Sequence, residues 1–308
     1  MKQFGYILQY WLLCLTGWWA NLLPPRMALG FGAVLGGLGY VAGVRRDVAL
    51  ANLSRAFPEK PPREVAAIAR KLYRNLGRNL VELLRFRNQS KSYIAALVSF
   101  EGEEHIKTAL AAGRGAILVS GHFGNWELYA AAIASAGYPF SVVVYPQHNA
   151  RVDALLNRLR QGAGVGIIYK RNAAKDVLRS LAANRLVTML ADQDAGPDGV
   201  FVNFFGRPAS TTRGPALFAV KTGAPIITGV IVREPGGRHR GIVDPPLFAD
   251  QAADREAEIA RLTQEAAVRL ERRVREHPDH WYWVHRRWKT APGGERSAGY
   301  GGRETTVG

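Results

Sequence analysis

Cysteine is almost absent from this sequence, since Cys14 is the only one among 308 residues. A single cysteine excludes a disulfide framework and a cysteine-based zinc site within one chain, and it points to no oxidising compartment. The histidines His122, His148 and His285 lack metal-ligand spacing with carboxylates. We therefore expect neither a bound metal nor another cofactor.

Acidic residues are also scarce, with 25 Asp and Glu against 41 Lys and Arg and a formal net charge of +16. Such an excess favours a polyanionic neighbour, which could be nucleic acid, an anionic membrane surface or a phosphorylated substrate. Hydrophobic residues make up 47% of the chain. A chain of this length and composition can bury a large core, which excludes a disordered protein.

Formal charge is missing altogether from residues 4–23, which include Trp11 and Trp18 and precede Pro24-Pro25. Twenty residues in a helix span about 30 Å, the thickness of a bilayer hydrocarbon core. We therefore predict a membrane anchor helix over residues 1–25. The alternative is a cleavable signal peptide, whose apolar core is usually shorter. The basic excess downstream predicts that the rest of the chain lies on the cytoplasmic face.

A second uncharged segment covers residues 27–44 and carries the spacings Gly32–Gly36 and Gly39–Gly43. Small residues four apart are typical of helices that pack closely against a neighbour. The pattern leaves open whether this segment spans the membrane, lies on it or packs beneath it.

Short apolar runs alternate with helical patterns through the middle of the chain. The runs cover residues 115–120, 140–145, 186–190 and 225–232, and helical patterns include 152–160 and 173–183. This alternation predicts an α/β fold with a mostly parallel central sheet flanked by helices. We expect one domain over residues 26–290 and a disordered tail, rich in glycine and arginine, over residues 291–308.

A candidate for chemistry follows the first of these runs, where the sequence reads Ser120-Gly-His-Phe-Gly-Asn-Trp-Glu127. Catalytic groups in open α/β sheets gather at the carboxyl ends of strands. Glu127 could fold back to the His122 imidazole, fix its tautomer and leave the other nitrogen as a general base for a hydroxyl. No Gly-x-Ser-x-Gly motif is present, which favours direct base catalysis over a covalent acyl-enzyme. A loop histidine and an ordinary helix N-terminal carboxylate remain the alternative.

Four segments of the chain, in order, resemble the bacterial late acyltransferases of lipid A biosynthesis. This lauroyl/myristoyl transferase family belongs to the lysophospholipid acyltransferase superfamily. The segments are residues 52–58, the His-x4-Glu dyad at 122–127, the block 191–211 and the block 281–289. A Phe-Pro-Glu-Gly-Thr-type block of glycerophosphate acyltransferases is missing, which weakens that branch.

This resemblance implies an enzyme of the bacterial inner membrane with its catalytic domain on the cytoplasmic face. It would move a fatty acyl chain from an acyl carrier protein or acyl-CoA thioester to a hydroxyl of a lipid A precursor or similar glycolipid. His122 would be the general base, Glu127 its orienting partner, and Arg160 would neutralise an acceptor phosphate or the oxyanion. The other residues expected to contact substrate are Asn125, Lys170, Asp192, Gln193 and Asp194.

Several alternatives stay open. Residues 192–194 could instead form a polar turn, and Lys170 a solvated basic edge. The acceptor could be a phosphatidylinositol mannoside, an aminolipid or a lysophospholipid. The chain could also be a basic membrane-surface binding protein without chemistry, with the aromatic and basic segment 281–289 at lipid headgroups. That segment suits nucleic acid as well, but the predicted anchor favours the anionic membrane, so we expect no nucleic-acid partner.

Overall fold

The computed structural model describes residues 2–170 and 173–293. The helices are α1 (Lys2–Leu22), α2 (Pro25–Val41), α3 (Arg46–Ala56), α4 (Pro62–Arg85), α5 (Lys91–Ala96), α6 (Glu103–Ala111), α7 (Trp126–Ser135), α8 (Ala150–Gly162), α9 (Ala173–Ala182), α10 (Gly214–Thr222) and α11 (Arg255–Glu276). The strands are β1 (Val98–Glu101), β2 (Ala116–Ser120), β3 (Phe140–Val144), β4 (Gly166–Tyr169), β5 (Leu186–Leu190), β6 (Val200–Phe204), β7 (Arg207–Thr211), β8 (Ile226–Arg233) and β9 (His239–Val243). Residues 294–308, most of the predicted tail, lie outside the described residues.

The centre of the described chain is a 7-stranded sheet in the order β1-β9-β8-β2-β5-β3-β4. Neighbouring strands pair in parallel, except for the antiparallel pair of β8 and β9. Strands β6 and β7 form a separate antiparallel pair. The predicted α/β fold with a mostly parallel sheet is confirmed.

Both faces of the sheet are covered, which explains why β2 reads as a continuous apolar run. Successive residues of the strand point to opposite faces. Leu118 belongs to a core cluster with Leu128 and Ile133 of α7. Its neighbour Ile117 belongs to a second cluster with Leu181 of α9 and Leu262 of α11. The carboxyl end of β2 therefore opens between two layers of helices.

Helix α2 packs closely on α4, as the Gly32–Gly36 spacing predicts. A Cβ atom added at Gly32 would lie 2.6 Å from the carbonyl oxygen of Gly77. One added at Gly36 would overlap the carbonyl oxygen of Tyr73. Only glycine permits this approach of two backbones. The second spacing does not act in this way, because nothing among the described residues lies within 4 Å of a Cβ at Gly43.

Helix α1 also lies along α4. A Cβ atom at Gly17 would meet the Leu84 side chain at 3.6 Å, and the Asn21 amide donates a hydrogen bond to the Leu84 carbonyl at 3.1 Å. Among the described helices, none alone has the length and apolar character needed to cross a membrane. The pair α2 and α3, bent by 89°, meets that criterion when taken together.

Candidate active site

The turn after β2 carries His122 and runs into α7. The Asn125 side chain caps this helix by accepting a hydrogen bond from the Leu128 amide at 3.1 Å. Gly124 has a φ of +56°, and a Cβ atom there would overlap the Ile231 carbonyl of β8. The glycine therefore lets the turn pass close to the neighbouring strand. It leaves His122 at the carboxyl end of β2, where the sequence predicts it.

Asp192 holds the imidazole of His122. One carboxylate oxygen of Asp192 lies 2.8 Å from His122 Nδ1, and the other accepts the His122 backbone N–H at 2.7 Å. The Trp281 indole N–H donates to the same carboxylate at 2.8 Å. The imidazole ring itself packs against Trp126 and Tyr282, with ring centroids 5.1 and 5.7 Å away.

The charge state of Asp192 decides the tautomer of His122. Burial of the carboxyl opposes its ionisation, but the imidazole and the N–H donors outweigh burial and lower the pKa of Asp192 to about 2. An ionised carboxylate only accepts hydrogen bonds, so Nδ1 must carry the proton. In the neutral imidazole Nε2 is then the unprotonated nitrogen, and this is the form that can act as a general base.

Glu127 does not hold His122, contrary to expectation. Both of its carboxylate oxygens are bound by the Arg160 guanidinium, with Nε at 2.8 Å and a terminal nitrogen at 2.6 Å. The other terminal nitrogen of Arg160 donates to the Asn157 side chain at 2.7 Å. Glu127 lies in the first turn of α7 and faces α8, where the planar guanidinium offers a two-donor partner. The carboxylate that binds His122 is therefore Asp192, and Glu127 belongs to an ion pair in the same cleft.

Arg160 is a paired cation. Burial lowers the pKa of its guanidinium, but the hydrogen bonds and charge of Glu127 outweigh burial and raise it. A guanidinium has five N–H donors, and Glu127 and Asn157 occupy three of them. Arg160 can therefore still donate to an anionic group in the cleft.

A cleft of about 750 Å³ opens beside His122. Its buried apolar wall comes from Tyr129 and Ala130 of α7 and Phe140 of β3. Its polar residues include Glu127, Arg160, Lys170, Gln193, Asp194, Asp198 and Arg213. A site with a base, charged groups and an apolar wall suits a substrate that is partly hydrocarbon and partly polar.

Three other predicted residues line this cleft. The Lys170 ammonium lies 4.1 Å from the centroid of the Tyr145 ring at the rim, and partial burial lowers the pKa of Lys170 below its ordinary value. Gln193 lines the cleft and accepts a hydrogen bond from Arg287 through its carbonyl oxygen. Asp194 accepts from the backbone N–H and hydroxyl of Thr290 at 3.1 and 2.9 Å. Asp194 thus also fastens the C-terminal segment to the site.

Asn125 lies away from the cleft, although it was expected to contact substrate. Its side chain is 1% exposed and is not part of the cleft lining. Its amide donates to a carboxylate oxygen of Glu82 at 2.6 Å. Its oxygen accepts from the Leu128 amide and its nitrogen donates to Glu82, so both ends of the side chain are bound within the protein.

Sequence reasoning placed Asp192 among the substrate contacts and missed its contact with His122. The signal was the register of the sheet, in which Ser120 of β2 lies beside Leu190 of β5. Two residues beyond these paired strand ends, His122 contacts Asp192. No single segment shows this pairing, because it depends on which strands are neighbours. Among the described residues, no three His, Cys, Asp or Glu side chains are grouped as a metal site would require.

Comparison with known proteins gives the class of this chain. The family model for bacterial lipid A biosynthesis acyltransferases matches residues 2–290. The lipid A biosynthesis lauroyltransferase of Escherichia coli (strain K12) is 30% identical over 295 residues, which are 93% of this chain and 94% of that protein. The phosphatidylinositol mannoside acyltransferase of Mycobacterium tuberculosis (strain CDC 1551 / Oshkosh) is 29% identical over 194 residues, 61% of this chain and 58% of that protein. The lipid A biosynthesis palmitoleoyltransferase of Escherichia coli (strain K12) is 26% identical over 296 residues, 94% of each.

The chain therefore belongs to the bacterial lipid A biosynthesis acyltransferase family, as the resemblance of its segments implied. It is an acyltransferase that acts on a lipid acceptor. The alternative of a binding protein without chemistry is wrong.

Proposed function

We propose that this enzyme transfers a fatty acyl chain from an acyl carrier protein or acyl-CoA thioester to a hydroxyl of a lipid A precursor or similar glycolipid. The observation that carries the proposal is the His122–Asp192 pair at the side of a large, partly apolar cleft. His122 Nε2 takes the proton of the acceptor hydroxyl as its oxygen attacks the thioester carbonyl. The C–S bond then breaks, and the imidazolium returns the proton to the leaving thiolate.

Asp192 supports this chemistry in its ionised form. It fixes the tautomer that leaves Nε2 free, and its negative charge stabilises the imidazolium that forms during attack. The same carboxylate binds the His122 backbone N–H, so that the ring and the main chain are both held. A base held in one orientation loses less activation entropy than a mobile one.

The Glu127–Arg160 pair serves the substrate rather than the imidazole in this proposal. Arg160 keeps N–H donors beyond those bound to Glu127 and Asn157, and it lines the same cleft as His122. These donors suit the oxyanion or an acceptor phosphate. Lys170 at the rim adds a second cation for the polar end of a substrate, and the apolar wall formed by Tyr129, Ala130 and Phe140 suits the acyl chain.

We further propose that residues 1–25 attach the domain 26–290 to the cytoplasmic face of the inner membrane. Helix α1 lies along α4, and its outward side is apolar and rich in tryptophan. The exposed large apolar residues of α1 are Phe4, Ile7, Leu8, Trp11, Leu12, Leu15, Trp18, Trp19 and Leu22, and α2 adds Met27, Val34, Leu38 and Val41. An exposed apolar surface of this kind marks a contact with a membrane. The packing of the other side of α1 against α4 favours a helix that lies in the interface over one that crosses the bilayer. The net charge of +16 favours an anionic membrane.

A phosphatidylinositol mannoside is the second candidate acceptor. It is supported by the similarity to the mycobacterial acyltransferases, which are 29% identical over 194 residues. Like a lipid A precursor, this acceptor presents sugar hydroxyls beside a phosphate. The cleft chemistry described above suits both acceptors, so the choice between them needs an assay.

The test uses the full chain purified in detergent, with acyl carrier protein and CoA thioesters as donors. A lipid A precursor, a phosphatidylinositol mannoside and a lysophospholipid serve as acceptors, and mass spectrometry detects the acylated product. We expect His122→Ala to lose about 10²–10⁴-fold in rate, the usual contribution of a general base. His105→Ala, a histidine of α6 outside the cleft, is the matched control. Wild-type turnover by folded His122→Ala would refute the mechanism, and transfer from no donor to any of these acceptors would refute the proposed substrates.

A further inference from the structure

The buried face of α4 carries polar side chains that the reaction itself does not use. Asn79 and Glu82 are one helical turn apart, and they are 9% and 8% exposed. Neither residue is part of the cleft lining. A buried carboxylate destabilises the fold unless its charge is paired and its oxygens are hydrogen-bonded. The contacts of Glu82 therefore indicate its role.

Both side chains reach the turn that carries His122. The Asn79 amide donates to the Gly124 carbonyl at 2.6 Å, and Glu82 accepts from the Asn125 amide at 2.6 Å. Helix α4 therefore binds consecutive residues of the turn, one through its main chain and one through its side chain. These residues lie two and three positions after His122.

Arg233 of β8 binds the side chains of both Asn79 and Glu82. Its guanidinium donates to both carboxylate oxygens of Glu82 at 2.7 and 2.5 Å, and to the Asn79 side-chain oxygen at 2.8 Å. Burial opposes ionisation of Glu82, but the charge and hydrogen bonds of Arg233 outweigh it and lower the pKa of Glu82. The carboxylate is therefore ionised, and it can act as a strong acceptor for Asn125.

The opposite side of the turn is bound by the C-terminal segment. The Gly124 backbone N–H donates to the His280 carbonyl at 2.8 Å, and the His122 carbonyl accepts from the Tyr282 N–H at 2.9 Å. The main chain from His122 to Asn125 thus lies between α4 and residues 280–282. Loss of the α4 contacts would leave it bound by residues 280–282 and, at His122, by Asp192.

We propose that Glu82, together with Asn79, is a positioning residue that fixes this turn so that His122 meets Asp192. The inference rests on the proposed role of His122 as general base. Asp192 binds both the ring and the backbone N–H of His122, which requires the turn in one place. A misplacement of about 1 Å at a reacting group can cost about 10²-fold in rate. Glu82 touches no cleft surface, so it acts on kcat through the turn and leaves substrate affinity unchanged.

The test compares substitutions that keep or remove the acceptor for Asn125. Glu82→Gln keeps an oxygen that can accept from Asn125 but removes the charge that Arg233 pairs with. Glu82→Leu removes the acceptor as well. We expect a lower melting temperature for both variants. We expect kcat to fall by at least about tenfold for Glu82→Leu with KM within about twofold, and to remain clearly higher for Glu82→Gln.

Two further variants separate positioning from stability. Glu258→Leu is the matched control, because Glu258 on α11 is 3% exposed and bound to Arg261 but does not touch the turn. It should lower the melting temperature and leave kcat unchanged. Asn79→Ala removes the hydrogen bond to the Gly124 carbonyl and keeps the Glu82–Arg233 pair. It should lower kcat, and it tests the inference even if Glu82→Leu does not fold.

All rates are measured per folded molecule, at a temperature below every transition. Wild-type kcat in folded Glu82→Leu or Asn79→Ala would overturn the inference. Equal losses for Glu82→Gln and Glu82→Leu would also overturn it, because the acceptor for Asn125 would then be irrelevant. His122→Ala, run in parallel, separates this result from the proposed function. An active His122→Ala refutes the general base, whereas an inactive His122→Ala beside a fully active Glu82→Leu refutes only the positioning role.

Discussion

Substitution of Asp192 by asparagine tests which carboxylate supports His122. Asparagine keeps the shape of the side chain, and its oxygen can accept from both the His122 backbone N–H and the Trp281 indole, which bind the same carboxylate oxygen of Asp192. Its amide would then face His122 Nδ1 as a donor. The ring would have to protonate Nε2 and present no base to the substrate. The same change in a Ser-His-Asp triad lowers kcat by about 10⁴-fold, which at about 1.4 kcal/mol per tenfold is a barrier increase of about 5.5 kcal/mol.

The same substitution changes the dependence of stability on pH. The pKa of Asp192 is lowered to about 2 from 3.8, which corresponds to about 2 kcal/mol of stabilisation. Because the folded-state pKa is depressed, this contribution is complete above the unfolded-state pKa and is lost as the pH falls from about 4 toward 2. Wild type should therefore be more stable than Asp192→Asn at pH 7, and the difference should narrow below about pH 4 in chemical denaturation.

The assay measures kcat at pH 7 with saturating donor and acceptor, on protein whose folded fraction is known. Glu127→Gln and Asp176→Asn accompany Asp192→Asn. Asp176 lies on α9 and pairs only with Arg179 among the contacts described for it, so its variant reports the cost of removing an unrelated carboxylate. We expect Asp192→Asn to lose at least about 10²-fold in kcat. A loss of less than tenfold, or a larger loss for Glu127→Gln, would refute Asp192 as the orienting group.

Three shorter predictions concern the cleft and the N-terminal helices. Arg160→Lys keeps the charge but loses the planar two-donor contact with Glu127. Acyltransferase activity should therefore fall by about tenfold, while binding to anionic liposomes stays the same. Activity equal to that of the wild type would remove Arg160 from the site. Gly36→Ala places a methyl group against the Tyr73 carbonyl and should lower the melting temperature. Gly30→Ala, whose methyl group would have nothing within 4 Å, should raise or preserve the melting temperature. A lower melting temperature for both variants, or for neither, would contradict the packing described. Replacement of the exposed Trp11 and Leu15 by aspartate should reduce flotation with anionic vesicles. Aspartate at the exposed Ala174 and Ala182 of α9 changes the net charge equally and should matter less. Unchanged flotation after the first change would place the membrane contact elsewhere.

Local sequence patterns predicted much of the sheet but not its order. The apolar runs that became β2, β5 and β8 are buried on both faces, and the run that became β3 is buried at its start, so they stand out against their surroundings. Strand β1, with the sequence Val-Ser-Phe-Glu, has no such signal and was missed. A strand of that composition is recognised only through its partner β9, which is distant in the chain.

The site shows the same division between local and long-range information. The sequence places His122 correctly because one strand and one turn determine its position. The preference for Glu127 over Asp192 as its partner rested on nearness in sequence. Arg160 approaches Glu127 from another helix, and Asp192 approaches His122 from a neighbouring strand. Both contacts depend on the packing of distant segments, which the spacing of residues does not encode.

The two sides of α2 are subject to different packing constraints. On the inner side, Gly32 and Gly36 lie against the backbone of α4 and leave no room for a side chain. On the outer side, Val34 and Leu38 are 61% and 59% exposed, and in the proposed contact with the membrane such positions need only an apolar side chain. We therefore expect homologues to exchange one apolar residue for another on the outer side, while the inner side stays small. Changes on the outer side would then leave undisturbed the helix α4, which binds the turn after β2.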